Sequence, residues 1–184
     1  GYTPLFVASS KGHADAARLL LDAGAEVDKR REGNWSSFGI ACALGHVDVA
    51  TLLLGRGADS AAVNTCSGRA PPLMFACRNR NLDAMQLCLE RGADVNWANE
   101  KGGTILYDAC KNGHVDAAQL LLDNGAAVDR ATKWGDTPLS IAKQQGHSSI
   151  VALLEEHISL KFPLHAPANT GDVDAMTQLI DGGA

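Results

Sequence analysis

Apolar residues along this 184-residue chain fall into short helical stripes, and the stripes recur. The clearest stretch is Gly113 to Ala126, GHVDAAQLLLDNGA, which holds a Gly-His pair, an amphipathic run and a Gly-Ala stop. The same stretch occurs at Gly12 to Ala25 and Gly45 to Ala58. A looser copy runs from Arg80 to Ala93, and a weaker one starts at Gly146. Leu19 to Leu21, Leu52 to Leu54 and Leu120 to Leu122 form the apolar stripe, with Leu87-Cys88-Leu89 in the looser copy. His13 to His46 is 33 residues, and so is His114 to His147; Asn81 fills the slot between them, 35 after His46 and 33 before His114. A fixed period of this size predicts a solenoid, in which each unit buries its apolar face against its neighbours.

Each unit reads as two helices. Thr3-Pro4-Leu5 and Thr137-Pro138-Leu139 open a first helix, with Thr as cap and Pro at the first helical position, where no hydrogen bond is lost. Ser36-Ser37, Pro71-Pro72 and Thr104-Ile105 occupy the same slot, and Pro71 supplies no capping oxygen. Ala8, Ala41, Ala76, Ala109 and Ala142 keep one side of these helices small, which lets neighbouring helices approach to ~8 Å. Gly12, Gly45, Gly113 and Gly146 end the first helix. Asp15, Asp48, Asp83 and Asp116 fall in the first turn of the second, where a negative charge suits the dipole. Gly24, Gly57, Gly92 and Gly125 stop it, and a polar finger segment of about ten residues leads to the next cap.

TPLF at Thr3, TPLS at Thr137, four Gly-His pairs and RGADVN at Arg91 to Asn96, all in register, make the chain resemble the ankyrin repeat family. The resemblance implies an all-α solenoid of stacked antiparallel helix pairs with hairpin-like fingers at one edge. It sets repeats at about 1–33, 34–68, 69–101, 102–134 and 135–158, with 159–184 an atypical partial repeat. The chain departs from the family pattern in three places. The His of the family's TPLH is replaced by Phe6, Gly39, Met74, Tyr107 and Ser140. The finger between repeats two and three is two residues longer, within Ala61 to Arg69. Repeat five runs out at Glu155-Glu156-His157 without a Gly-Ala stop, and a new start follows at Phe162-Pro163-Leu164-His165. The last segment is either the opening repeat of a second array or a tilted sixth repeat, and the stack is expected to kink between Glu155 and Pro167. The chain begins and ends mid-repeat, as a monomeric excerpt from a longer protein does.

Composition narrows the function. The net charge of −5 disfavours nucleic acid as a partner. No apolar run is long enough to span a bilayer, and there is no signal peptide. Five cysteines without a CxxC suggest a reduced, intracellular setting, cytoplasmic or nuclear, which makes the Asn34-Trp35-Ser36 sequon a chance match. Four of six histidines fill one repeat slot, so they read as structural turn residues, and spacing of ~10 Å between slots is too wide for a shared zinc. Cys42, Cys77 and Cys110 share a small buried slot, Cys88 replaces a stripe leucine, and Cys66 on the long finger is the cysteine expected at the surface. Phosphate-binding loops and the HExxH and GxSxG patterns do not occur. No catalytic constellation, metal site or cofactor is expected.

The resemblance implies that finger tips and the solvent side of the first helices form a concave face that holds a protein partner. By slot, that face takes Tyr2, Lys11, Trp35, Arg69, Arg78, Asn79, Lys101, Lys111, Asn112, Trp134 and Asp136. Tyr, Trp and Arg are the residue types enriched at interface hot spots. Trp35, Trp97 and Trp134 all fall in finger segments, either to meet a partner or to pack on the next finger. By slot, twelve of sixteen Lys and Arg but six of twenty-one Asp and Glu lie on fingers or first helices. That asymmetry implies a basic face for an acidic or mixed partner segment, unless acids on the outer helices create it unaided. The expected function is a protein-binding scaffold or adaptor; the alternative is a targeting or regulatory segment of a larger multidomain enzyme such as a kinase or ubiquitin ligase. Asn96 also matches the family position open to asparagine hydroxylation, although Cys88 replaces the leucine expected eight residues upstream.

Overall fold

A computed structural model of the chain describes residues 2–30, 34–64 and 70–161. The described residues form five helix pairs and no β-strand. In chain order the pairs are α1 (Pro4–Lys11) with α2 (Ala14–Asp22), α3 (Ser37–Leu44) with α4 (Val47–Gly55), α5 (Pro72–Arg78) with α6 (Leu82–Glu90), α7 (Ile105–Asn112) with α8 (Val115–Asp123), and α9 (Pro138–Gln145) with α10 (Ser148–Lys161). The first helices touch in the series α1, α3, α5, α7, α9, and the second helices in the series α2, α4, α6, α8, α10. Two layers result, with one apolar core between them.

Local chemistry sets the helix ends where the sequence places them. The hydroxyls of Thr3, Ser36, Thr104 and Thr137 accept the amide N–H three residues on, at 3.0–3.1 Å. Ser140, which stands where the family has histidine, accepts the Thr137 N–H at 2.8 Å and closes a capping box. Pro71 caps nothing with its side chain. The small slot is buried in all five repeats, from Ala8 to Ala142, and so are Leu53, Cys88, Leu121 and Leu154 of the second-helix stripe.

The slot histidines tie each repeat to the one before. His46 donates from Nε2 to the Ser10 carbonyl at 3.3 Å, and His147 to the Lys111 carbonyl at 3.1 Å. Asn81 does the same work for repeat three, donating to Leu44 O at 3.2 Å. The pattern slips after repeat three. There the glycine slot holds Arg80, forced to a left-handed φ of 59°. His114 of the next repeat bonds from Nδ1 rather than Nε2, and to Cys77 O, one residue earlier than its counterparts reach. Arg80→Gly is expected to raise the free energy of unfolding by about 1 kcal/mol in a urea titration, by relieving left-handed strain on a side-chain-bearing residue. An unchanged midpoint would show that Arg80 recovers that strain elsewhere.

The fingers turn back on themselves, with Asn99 N–H to Gly103 O at 3.0 Å and Thr132 N–H to Asp136 O at 2.9 Å, and do so with little strand pairing. Only one isolated antiparallel bridge occurs among the described residues, Ala98 with Thr104. The long finger is helical at its base: Ser60–Val63 is a 3₁₀ turn capped by Asp59, whose carboxylate accepts the Ala61 N–H at 2.9 Å. Ala25 to Val27 spans two residues whereas Ala58 to Val63 spans five, so three residues enter before Val63, and Asn64 to Pro71 is one shorter than Asp28 to Ser36, which leaves the finger two residues longer. At Asn64 the register returns. Asp28, Asn64 and Asn96 each accept the backbone N–H of the next repeat's loop, those of Asp59, Asp94 and Ala127, at 2.7–2.9 Å.

Repeat five ends differently from the others. Without a Gly-Ala stop, α10 runs 14 residues to Lys161, so the boundary drawn after 158 falls inside a helix. The expected kink before Pro167, the new start at Phe162 and the partial repeat lie largely or wholly outside the described residues, as do Arg69 and Cys66.

Candidate interaction surface on the first helices and fingers

The third and fourth fingers are pinned by their own side chains. Asn99 Oδ1 accepts the N–H groups of Lys101 and Gly103 at 2.9 and 3.0 Å, and Asn99 N–H donates to Gly103 O at 3.0 Å. Thr132 Oγ1 accepts from Trp134 N and Asp136 N at 3.3 and 3.2 Å. Lys133 N–H donates to Lys101 O at 3.0 Å and locks one finger to the next. On this fixed tip Trp134 is 68% exposed, with Lys101 Nζ 5.5 Å from its ring centroid. That cation–π contact is worth about 0.5–1 kcal/mol at an exposed site. The tip is therefore ordered before any partner arrives.

The α7 surface is polar and continuous with it. Arg78 donates from Nε and Nη2 to the two carboxylate oxygens of Asp108, both at 3.0 Å. This bidentate bond is the main cause holding the Arg78 guanidinium above its ordinary pKa. Asn112 folds back on Asp108 O at 2.7 Å. Tyr107 is half-buried, and burial first, then the charges of Asp136 and Asp108, push its phenol pKa up. Lys111 stands exposed one turn along.

Toward α1 the same layer turns apolar. The slot occupied by Asp108 holds Val7, Ile40, Phe75 and Ile141 in the other repeats. Val7 and Leu44 are exposed, while Ile40 and Phe75 are half-buried. Trp35 lies edge-on against Phe75, centroids 5.5 Å apart, so this tryptophan is half-spent on its neighbour. Tyr2, 63% exposed, packs at 5.6 Å on Phe6. Trp97 is half-buried against the core. Asn79 donates one amide N–H to Ala43 O at 3.1 Å, and Lys11 is exposed.

Residue counting overstated the basic character of this side. Of the twelve cations placed there, Lys29, Arg30, Arg78 and Lys143 pair with Glu26, Asp59, Asp108 and Glu155. Arg31 and Arg69 lie outside the described residues. Lys11, Arg80, Lys101, Lys111, Arg130 and Lys133 keep no carboxylate within 4 Å among the described residues. Phe75, Tyr107 and Asp108 entered the sequence reading in other roles or not at all. The available signal was Asp108 alone in a slot of aliphatic and aromatic residues.

The four cysteines among the described residues belong to the core. Cys42, Cys77, Cys88 and Cys110 are buried free thiols. Burial, with the Asp108 charge second, pushes Cys77 from 9.0 up to about 12; burial, then Cys77, does the same to Cys110. A hydrogen bond with Cys88, and then burial, also raises Cys42. A thiol that stays neutral longer when folded contributes stability fully below its unfolded pKa of 9.0 and loses it as pH rises toward about 12. The folded chain is therefore expected to withhold these four thiols from a disulfide reagent at pH 8 and release all four on unfolding. Rapid native labelling at Cys77 or Cys110 would contradict the burial argument. Asn96 is committed too: its oxygen accepts from Ala127 N at 2.7 Å, and its amide N–H donates to Gly125 O at 3.4 Å.

No helix among the described residues is long and apolar enough to cross a membrane. The family model for ankyrin repeats in three copies matches residues 1–64 and 40–132. Those matches, with the paired helices, the hydroxyl-capped helix starts and the slot side chains that tie repeat to repeat, place this chain in the ankyrin repeat family, whose repeats are generally modules for protein–protein interaction and typically non-catalytic.

Proposed function

We propose that the chain is a protein-binding scaffold or adaptor and that its partner lies across the first helices and finger tips. The contact set is Tyr2, Lys11, Trp35, Arg78, Asn79, Lys101, Lys111, Asn112, Trp134 and Asp136, with Arg69 included from the sequence alone. The observation that carries this reading is Trp134, a large aromatic held in water on a tip whose backbone is already fixed. A preordered aromatic anchor costs little conformational entropy on binding. The second helices form the opposite layer and offer mainly short local pairs such as Gln119 with Asp123.

The test is site-directed photo-crosslinking in cell extract. A crosslinker at Lys111 or Lys133 should capture a discrete partner that the same group at Gln119 on α8 does not. Capture from Gln119 alone would move the site to the second-helix layer. With that partner purified, Trp134→Ala should weaken binding by about 2 kcal/mol by calorimetry while leaving the unfolding midpoint in place.

A further inference from the structure

The proposed face divides at one repeat boundary. From α1 to α5 the outward slot reads Val7, Ile40, Phe75, and Trp35 extends that apolar strip by packing on Phe75. At α7 the strip stops at Asp108, Ile141 in the same slot of α9 is buried, and the cations here without a carboxylate within 4 Å among the described residues are three lysines and Arg130, which donates to the Asn96 carbonyl at 2.8 Å. Lys101, Lys111 and Lys133 have no carboxylate within 4 Å among the described residues. Counting Arg130, these cations outnumber the unpaired acids of the same stretch, Glu100, Asp129 and Asp136, by four to three. Asp108 is used up by Arg78 in a two-bond pair, and Asp136 is a single half-buried carboxylate. Asp108 thus terminates the apolar strip while Arg78 cancels its charge, which keeps it from repelling an acidic ligand.

Resting on the reading above, we infer that the partner supplies a linear segment with an apolar end over α3 and α5 and an acidic end over α7 and the third and fourth fingers. The dimensions suit an extended chain. Three helix spacings from α3 to α9 come to ~30 Å, which about nine extended residues span. The apolar end gains by covering a strip already half-dry, and the acidic end gains where the lysines have no carboxylate partner of their own among the described residues. The lysines add rate and orientation more than affinity, so the complex is expected to weaken with salt.

Selection from a display library of random peptides about a dozen residues long, matched to that span, tests this directly. Enriched sequences should carry aliphatic or aromatic residues at one end and Asp or Glu at the other. Lys111→Glu/Lys133→Glu should weaken such a peptide by roughly tenfold, and a version of the peptide with lysines for its acids should regain binding to that variant. Rescue by charge exchange cannot come from a damaged fold. Enriched peptides without an acidic end, or peptides indifferent to the lysine reversal, would overturn the inference. So would failure to enrich any peptide, which would indicate a folded partner surface, or equal competition by a single-stranded oligonucleotide. Peptides that crosslink to this face but lack the acidic end defeat the inference alone. Peptides that crosslink to the second-helix layer defeat the surface reading as well.

Discussion

Replacing Phe38 by alanine is expected to lower the free energy of unfolding by about 3–5 kcal/mol, the range for a large aromatic removed from a packed core. Phe38 is fully buried on α3, in a slot that holds leucine in the other repeats. The helix that carries it touches α1, α4, α5, α6 and the 3₁₀ turn of the long finger. A cavity there cannot be closed by one neighbour without pulling it off another. In a stack whose stability is a sum of repeats and interfaces, damage to repeat two also weakens its joints to repeats one and three. The loss should therefore arrive with reduced cooperativity, seen as a smaller urea dependence and as tryptophan fluorescence and far-UV circular dichroism that no longer coincide. Leu19→Ala is the matched control. Leu19 is 70% exposed although its counterparts in the later repeats are half-buried or buried, and its loss should stay within about 0.5 kcal/mol. A Phe38→Ala loss below that of Leu19→Ala would refute the placement of the core.

The repeat was legible because the same local chemistry is written four times in five repeats. A threonine or serine three residues before its amide partner, and a glycine before a histidine, act within one turn of helix, so sequence order gives spatial order. The slot histidines illustrate the limit. Their structural role followed from recurrence, but the carbonyl each one seeks lies 36 or 37 residues back and emerges only from stacking. The same distance hid most of the candidate surface. Arg78 meets Asp108 across 30 residues, and Lys101 reaches Trp134 across 33. Counting charges one at a time could not register that four of the twelve cations were already paired within the fold. Trp35 and Trp134 both fall in finger segments, Trp35 directly before the Ser36 cap and Trp134 three residues before Thr137. One packs on Phe75 of α5 and the other stands 68% exposed beside Lys101, an outcome that their shared place in finger segments does not distinguish. The long finger was legible as an insertion but not as a 3₁₀ turn, since Ser60-Ala61-Ala62-Val63 carries no turn signal of its own. Asn64 was invisible for a related reason: the inserted residues displace it from the spacing that marks Asn96.

Gly113→Ala and Gly125→Ala should separate backbone strain from repeat-to-repeat coupling. Both glycines have left-handed backbones, with φ of 74° and 84°. An alanine at either site pays strain of about 1–2 kcal/mol. At Gly125 nothing else lies within 4 Å of the added carbon, so the cost should end there. At Gly113 the added carbon would sit 2.8 Å from His147 Cε1 and 3.0 Å from Nδ1. The ring must swing away, and with it goes the 3.1 Å hydrogen bond from His147 Nε2 to the Lys111 carbonyl. Losing that bond adds about 1 kcal/mol, so Gly113→Ala should be the costlier of the two by about that amount in urea titrations. In a His147→Ala background the extra cost should disappear, because no ring is left to displace. The difference matters beyond stability. Lys111 and Asn112 occupy the end of α7 that His147 holds, so freeing that end should also loosen the face proposed to meet the partner. Hydrogen exchange at the α7 amides should rise in Gly113→Ala and stay unchanged in Gly125→Ala. Equal destabilisation by both substitutions would mean that the histidine contributes nothing to joining one repeat to the next.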